Sequence, residues 1–136
     1  MRAIVIDTNA YAAFKRGDGA IGEVLKHVPE ILLCVTVLGE LLAGFAAGTR
    51  ESANRRELKL FIDSPRVRVV PCTAVTADVH ARIYATLRRQ RQPIPTNDLW
   101  IAASCLEYGA PLLTLNAHFA QVGGLSSGAR LDDFLP

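Results

Sequence analysis

The strongest constraint on this chain is an alternation. Short, mostly apolar runs recur between longer stretches with helical spacing. The runs are Ile4-Val5-Ile6, Ile31-Leu32-Leu33-Cys34-Val35, Val67-Arg68-Val69-Val70 and Pro111-Leu112-Leu113-Thr114-Leu115. Three of the four contain almost no polar residue, which suits strands covered on both faces, as in a parallel sheet. Helices are predicted between them over residues 10–15, 20–27, 37–47, 50–61, 75–90 and from Thr96 or Asn97 to Tyr108. Strand–helix alternation implies an α/β fold, and right-handed crossovers bring the strand ends to a common edge. The tail, 123–136, carries glycines, serines and Asp132-Asp133, and is expected to add at most a short edge element.

The 136 residues are 50% apolar and 21% charged, which fits one folded domain over 1–136 with a core of its own. The apolar stretch after Met1 is too short for a signal peptide and no segment reaches membrane-span length, so a cytoplasmic protein is expected. Cys34, Cys72 and Cys105 have no Cys-x-x-Cys spacing and read as small core residues rather than zinc ligands or disulfide partners. A net charge of +2 neither demands nor excludes nucleic acid, so a polyanion would have to meet a local basic patch. Arg88, Arg89 and Arg91 form such a cluster at the end of the helix predicted over 75–90, although cations there also suit the helix dipole.

Polar groups stand at the element junctions. Ile4-Val5-Ile6 runs directly into Asp7-Thr8-Asn9, and in open α/β sheets ligands bind outside the carboxyl ends of the strands. Helix capping by Asp7 or Thr8 is the competing reading of that stretch. Thr36 is expected to cap the next helix, with Glu40 in its first turn, one position too late for a capping box. Gly39 and Gly44 in that helix suggest close approach by a neighbouring backbone or a ligand. Helical spacing puts Asp98 at the margin of the stripe formed by Leu99, Ala102, Ala103 and Leu106, and leaves Trp100 facing away as a possible partner surface. Asn116 and His118 follow the last apolar run; His118 could assist a site there, but a lone histidine before Phe119 is more often structural.

Three acids at junctions on one sheet edge would repel one another and raise one another's pKa values. A hard divalent cation resolves that repulsion, can orient phosphate oxygens and can activate water, so no serine or cysteine nucleophile is needed.

Taken in order, Asp7-Thr8-Asn9, Gly39-Glu40-Leu41-Leu42-Ala43-Gly44, Pro93-Ile94-Pro95 with Asn97-Asp98-Leu99-Trp100, and Leu113-Thr114-Leu115-Asn116-Ala117-His118-Phe119 resemble the PIN-domain nucleases, most of all the VapC toxins of bacterial toxin–antitoxin pairs. The resemblance implies a three-layer α/β/α sandwich with a central, mostly parallel sheet. It also implies an endoribonuclease dependent on Mg2+ or Mn2+, a homodimer, and a cognate VapB-type antitoxin. By the same resemblance Asp7, Glu40 and Asp98 are the acidic triad, Asp7 and Asp98 are the direct metal ligands, and Thr8 supports the site. Asn116 stands where many members have a fourth acid, which favours one well-held ion over two. Arg88, Arg89 and Arg91 are the candidates for RNA-backbone contact. A PIN-type nuclease of RNA processing without a toxin role, and a degraded domain that binds RNA or a partner without cutting, are the alternatives.

Overall fold

The computed structural model describes residues 1–135. Its centre is a sheet of five strands in the order β3-β2-β1-β4-β5. The strands are β1 (Ala3–Ile6), β2 (Glu30–Cys34), β3 (Val67–Val70), β4 (Leu112–Leu113) and β5 (Ser127–Gly128). Every neighbouring pair is parallel. In β1, Ile4, Val5 and Ile6 are each 0% exposed, so both faces of the central strand are covered, which is why the run lacks alternation.

The covering helices are α1 (Thr8–Lys15), α2 (Gly19–His27), α3 (Val35–Ala47), α4 (Glu51–Ile62), α5 (Ala74–Arg89) and α6 (Thr96–Tyr108). Short 3-10 turns follow at Ala117–Gln121 and Leu131–Asp133. The α2 helix stops at Val28, ahead of Pro29, and Arg66 ties down its last carbonyls, donating to Leu25 O at 2.8 Å and Val28 O at 2.7 Å. The helix end thereby gains cation-held acceptors in place of water. At the opposite end of the sheet order, the β5 edge is held by Asp133, whose Oδ2 accepts from the Ala129 and Arg130 backbone at 2.9 and 3.0 Å.

Several local expectations change. The α3 helix starts at Val35 with Cys34 as its N-cap, so Thr36 is an early helical residue and not the cap, and Glu40 sits two residues deeper than expected. The spaces beside Gly39 and Gly44 are open, so no neighbouring backbone of this chain approaches either glycine. Pro95 occupies the N-cap of α6, with Thr96 and Asn97 already helical. Cys34 and Cys105 are core residues, but Cys72 is exposed. Trp100 is half-buried, not a free surface, because it stacks on His80 with ring centroids 4.1 Å apart. Beside it, Thr76 of α5 donates to Glu107 Oε1 at 2.5 Å, so the side of α6 that periodicity leaves to solvent packs on α5.

Candidate active site

Strand order sets where a site can form. From β1 the chain runs outward through β2 to β3, then returns past β1 to lay down β4 and β5 on the other side. The topological switch therefore lies between β1 and β4, and the carboxyl ends of two such strands leave a crevice there. Asp7 follows β1 and Thr114 follows β4, so both stand at the mouth of this crevice.

Asp7 is only 2% exposed. It caps α1, accepting from the Ala10 backbone N–H at 2.9 Å, so the capping reading of this residue is correct. Its second oxygen accepts the Thr114 hydroxyl in a short hydrogen bond. Even so, burial pushes its pKa up to about 6, with smaller contributions from the negative charges of Asp98 and Glu40, against the lowering effect of the two hydrogen bonds. A carboxylate that is both buried and crowded by like charge is more costly than a cap requires.

Glu40 approaches from α3. Its two oxygens are separately held, Oε1 by the Thr8 hydroxyl at 2.6 Å and Oε2 by the Asn97 amide at 3.2 Å. Asp98, in the first turn of α6, is bonded through Oδ2 to His118 Nε2 at 2.7 Å. Asn116 precedes the 3-10 turn and donates its backbone N–H to the Thr114 hydroxyl at 3.0 Å. Asn9 completes the frame by accepting the Leu115 N–H at 3.1 Å.

One cleft of about 360 Å³ is lined by Asp7, Thr8, Asn9, Glu40, Asp98 and Asn116, with Ala12 and Ile101. Every residue expected at the acid site, Thr8 and Asn116 included, is thus brought to one hollow. Arg88, Arg89 and Arg91 are not part of it; Arg88 and Arg91 line a separate cleft. A larger hollow of about 830 Å³ opens beside Arg2, Glu30, Tyr108 and Pro111, at the amino ends of the strands and away from the acids.

The residues not expected from the sequence are Thr114, Asn97 and Asn9, while His118, read as able to assist but more often structural, bonds Asp98. The histidine is therefore not merely a companion to the buried Phe119. A hydroxyl, two amides and an imidazole at junctions gave little signal individually, because their partners lie 20 to 107 residues away.

A parallel sheet with three carboxylates converging at its switch point defines a class of protein, one that places acids in a single cleft for oxygen-seeking chemistry. The chain belongs to the PIN-domain family, whose domain description matches residues 4–125. Among its relatives, Ribonuclease VapC1 of Rickettsia felis is 31% identical over 125 residues, covering 90% of this chain and 92% of that protein. Ribonuclease VapC5 of Mycobacterium tuberculosis is 27% identical over 124 residues, covering 90% of each. Among solved structures, VapBC2 of Rickettsia felis, bound to a DNA fragment from its promoter, superposes with a TM-score of 0.81 at 21% identity. That match covers 93% of this chain and 97% of the other, and it shows the same fold.

Proposed function

We propose that this protein is an endoribonuclease that hydrolyses RNA phosphodiesters with a bound divalent cation, Mg2+ or Mn2+, and acts as the toxin of a toxin–antitoxin pair. The observation that carries the proposal is the convergence of Asp7, Glu40 and Asp98 on one cleft, with Asp7 held at a pKa of about 6. The ribonuclease names of relatives that match nine-tenths of the chain support the substrate class. Neighbours that are VapBC complexes support a VapB-type antitoxin as partner. A homodimer and a cytoplasmic setting belong to the same reading; no helix among the described residues is long and apolar enough to cross a membrane.

The donor set fits the ion. Only oxygen ligands face the cleft, the choice of a hard cation rather than of zinc. Among the described residues no three His, Cys, Asp or Glu side chains close into a ligand cage, but magnesium needs none, since one or two carboxylates and several waters hold it. Asp7 and Asp98 would hold the ion. When bound, it supplies charge to stabilise the phosphate oxygens and lowers the pKa of water.

The chain's own groups do the rest. Glu40, with each oxygen already fixed by a donor, is set to accept a hydrogen bond from the attacking water and so aim it. Thr8 and Asn97 hold that carboxylate in its place at the cleft. His118 fixes the Asp98 carboxylate, and Thr114 fixes that of Asp7. Asn116 adds an amide without charge, consistent with one ion rather than two. The test is expression of the protein with sequencing of the RNA ends it generates. Wild type should inhibit growth and leave discrete new ends, and Asp98→Asn should do neither; the same ends from Asp98→Asn would contradict the proposal.

A further inference from the structure

A second cleft, about 410 Å³, lies between the end of α5 and the start of α6. Its floor is apolar: Leu87, Ile94 and Leu99 are 2%, 9% and 6% exposed. Its rim is aromatic and basic. Tyr84 is 47% exposed, and its hydroxyl accepts from Arg88 Nη1 at 3.0 Å, which sets the guanidinium beside the ring. Arg82, earlier on the same helix, is paired with Asp78 at 2.9 Å, whereas among the described residues no carboxylate pairs with Arg88, Arg89 or Arg91. Three neighbouring cations are left for an outside anion.

Arg91 adds an independent sign. It follows α5 at φ 59°, the only positive φ at a non-glycine residue in the described chain. Its N–H bonds Arg88 O at 3.1 Å and the next N–H, of Gln92, bonds Leu87 O at 2.9 Å, the left-handed turn that closes a helix. Glycine is the usual residue there, and it fills the same role after α6, where Gly109 has φ 61°. Arg91 holds this position with a full side chain, and that side chain lines the cleft.

The two clefts share one helical turn. Thr96 and Leu99 wall this one, while Asp98 between them lines the acid cleft. We propose that the α5–α6 cleft is a base-binding subsite of the RNA substrate. The base of a nucleotide beside the scissile phosphate packs on the Tyr84 ring over the apolar floor, and Arg88 and Arg91 meet adjoining phosphates. Every base has a face to stack and every nucleotide a charge, so single-stranded RNA matches an aromatic wall under unpaired arginines. The subsite rests on the nuclease reading above.

The test separates the two. Binding of a labelled single-stranded RNA oligonucleotide is measured by fluorescence anisotropy in EDTA, and its cleavage in Mn2+, for wild type, Tyr84→Ala, Tyr84→Phe and Arg91→Gly. Tyr84→Ala should weaken binding and raise KM roughly tenfold, the loss expected of one stacked base, with kcat within about twofold. Tyr84→Phe should retain most of the affinity. Arg91→Gly should melt no lower than wild type, because it relieves the strained turn, yet bind RNA several-fold more weakly. Equal binding by wild type and Tyr84→Ala, no binding of RNA by wild type, or losses that track a change of oligomeric state in light scattering would overturn the subsite. Cleavage with pocket-independent binding would leave the nuclease standing without it; pocket-dependent binding without cleavage would do the reverse.

Discussion

His118 Nε2 lies 2.7 Å from Asp98 Oδ2 and so ties the segment after β4 to the first turn of α6. An ionised carboxylate can only accept, so the ring supplies the proton of this bond. The contact fixes which Asp98 oxygen is turned to the cleft, the role that an outer partner plays for a metal-ligating group. His118→Ala is therefore expected to weaken Mn2+ binding about tenfold in calorimetry, while His118→Gln, which keeps a donor, recovers part of it. Unchanged Mn2+ affinity in His118→Ala would refute this role.

The buried Asp7 makes stability depend on pH. Its pKa moves from 3.8 to about 6 on folding, a cost of about 3 kcal/mol once the group is ionised. Below pH 3.8 both the folded and the unfolded chain hold the proton, and Asp7 costs nothing. As pH rises toward 6 the unfolded chain releases its proton first, so stability falls, and the full cost stands above pH 6. In chelator at pH 7.5, Asp7→Asn should be about 2–3 kcal/mol more stable than wild type by denaturant unfolding, with the difference vanishing near pH 4 and below. The Asn side chain can still accept the Ala10 N–H, so the cap survives. A variant less stable than wild type at pH 7.5 would show that Asp7 is a purely structural cap.

Thr114 is 4% exposed and links Asp7 to the Asn116 backbone through one hydroxyl. Thr114→Val leaves both partners short of a hydrogen bond, at a cost of about 1–3 kcal/mol in unfolding free energy. The Thr114 bond also lowers the Asp7 pKa, so its loss should move the onset of Mn2+ binding to higher pH. An unshifted onset would show that the hydroxyl does not tune the carboxylate.

The sheet and the three acids are legible in the sequence because each leaves a local mark. Ile4-Val5-Ile6 is apolar on every position, and Asp7 interrupts it where the strand ends. Asp98 shows its inward aim through helical spacing alone, and it is half-buried as expected. Thr114 leaves no such mark, since a hydroxyl at a strand tip is common and its partner is 107 residues away. The start of α3 is hidden because Cys34 caps it without a side-chain hydrogen bond and Val35 continues the apolar strand run. Trp100 misleads because periodicity assumes one buried face, whereas α6 packs on α5 as well as inward; six of its thirteen residues are buried, from Leu99 through the run Ile101 to Cys105.

The cysteines offer a check on the packing. Cys34 and Cys105 are each 0% exposed and burial raises both thiol pKa values, whereas Cys72 is exposed. A thiol reagent should label Cys72 alone in the native protein and all three cysteines in denaturant. Equal labelling of Cys34 under native conditions would contradict the burial of the β2 end.

Asp7 after β1, Glu40 on α3 and Asp98 on α6 are proposed to form a metal-dependent ribonuclease site. Its most direct measurement is cleavage of single-stranded RNA by purified wild type, Asp7→Asn and Asp98→Asn, each with Mn2+ and with EDTA. Wild type should cut in Mn2+ and not in EDTA, and each variant should lose at least a hundredfold of that activity while keeping a cooperative unfolding transition. Cleavage by wild type in EDTA, or by both variants at the wild-type rate, would contradict it.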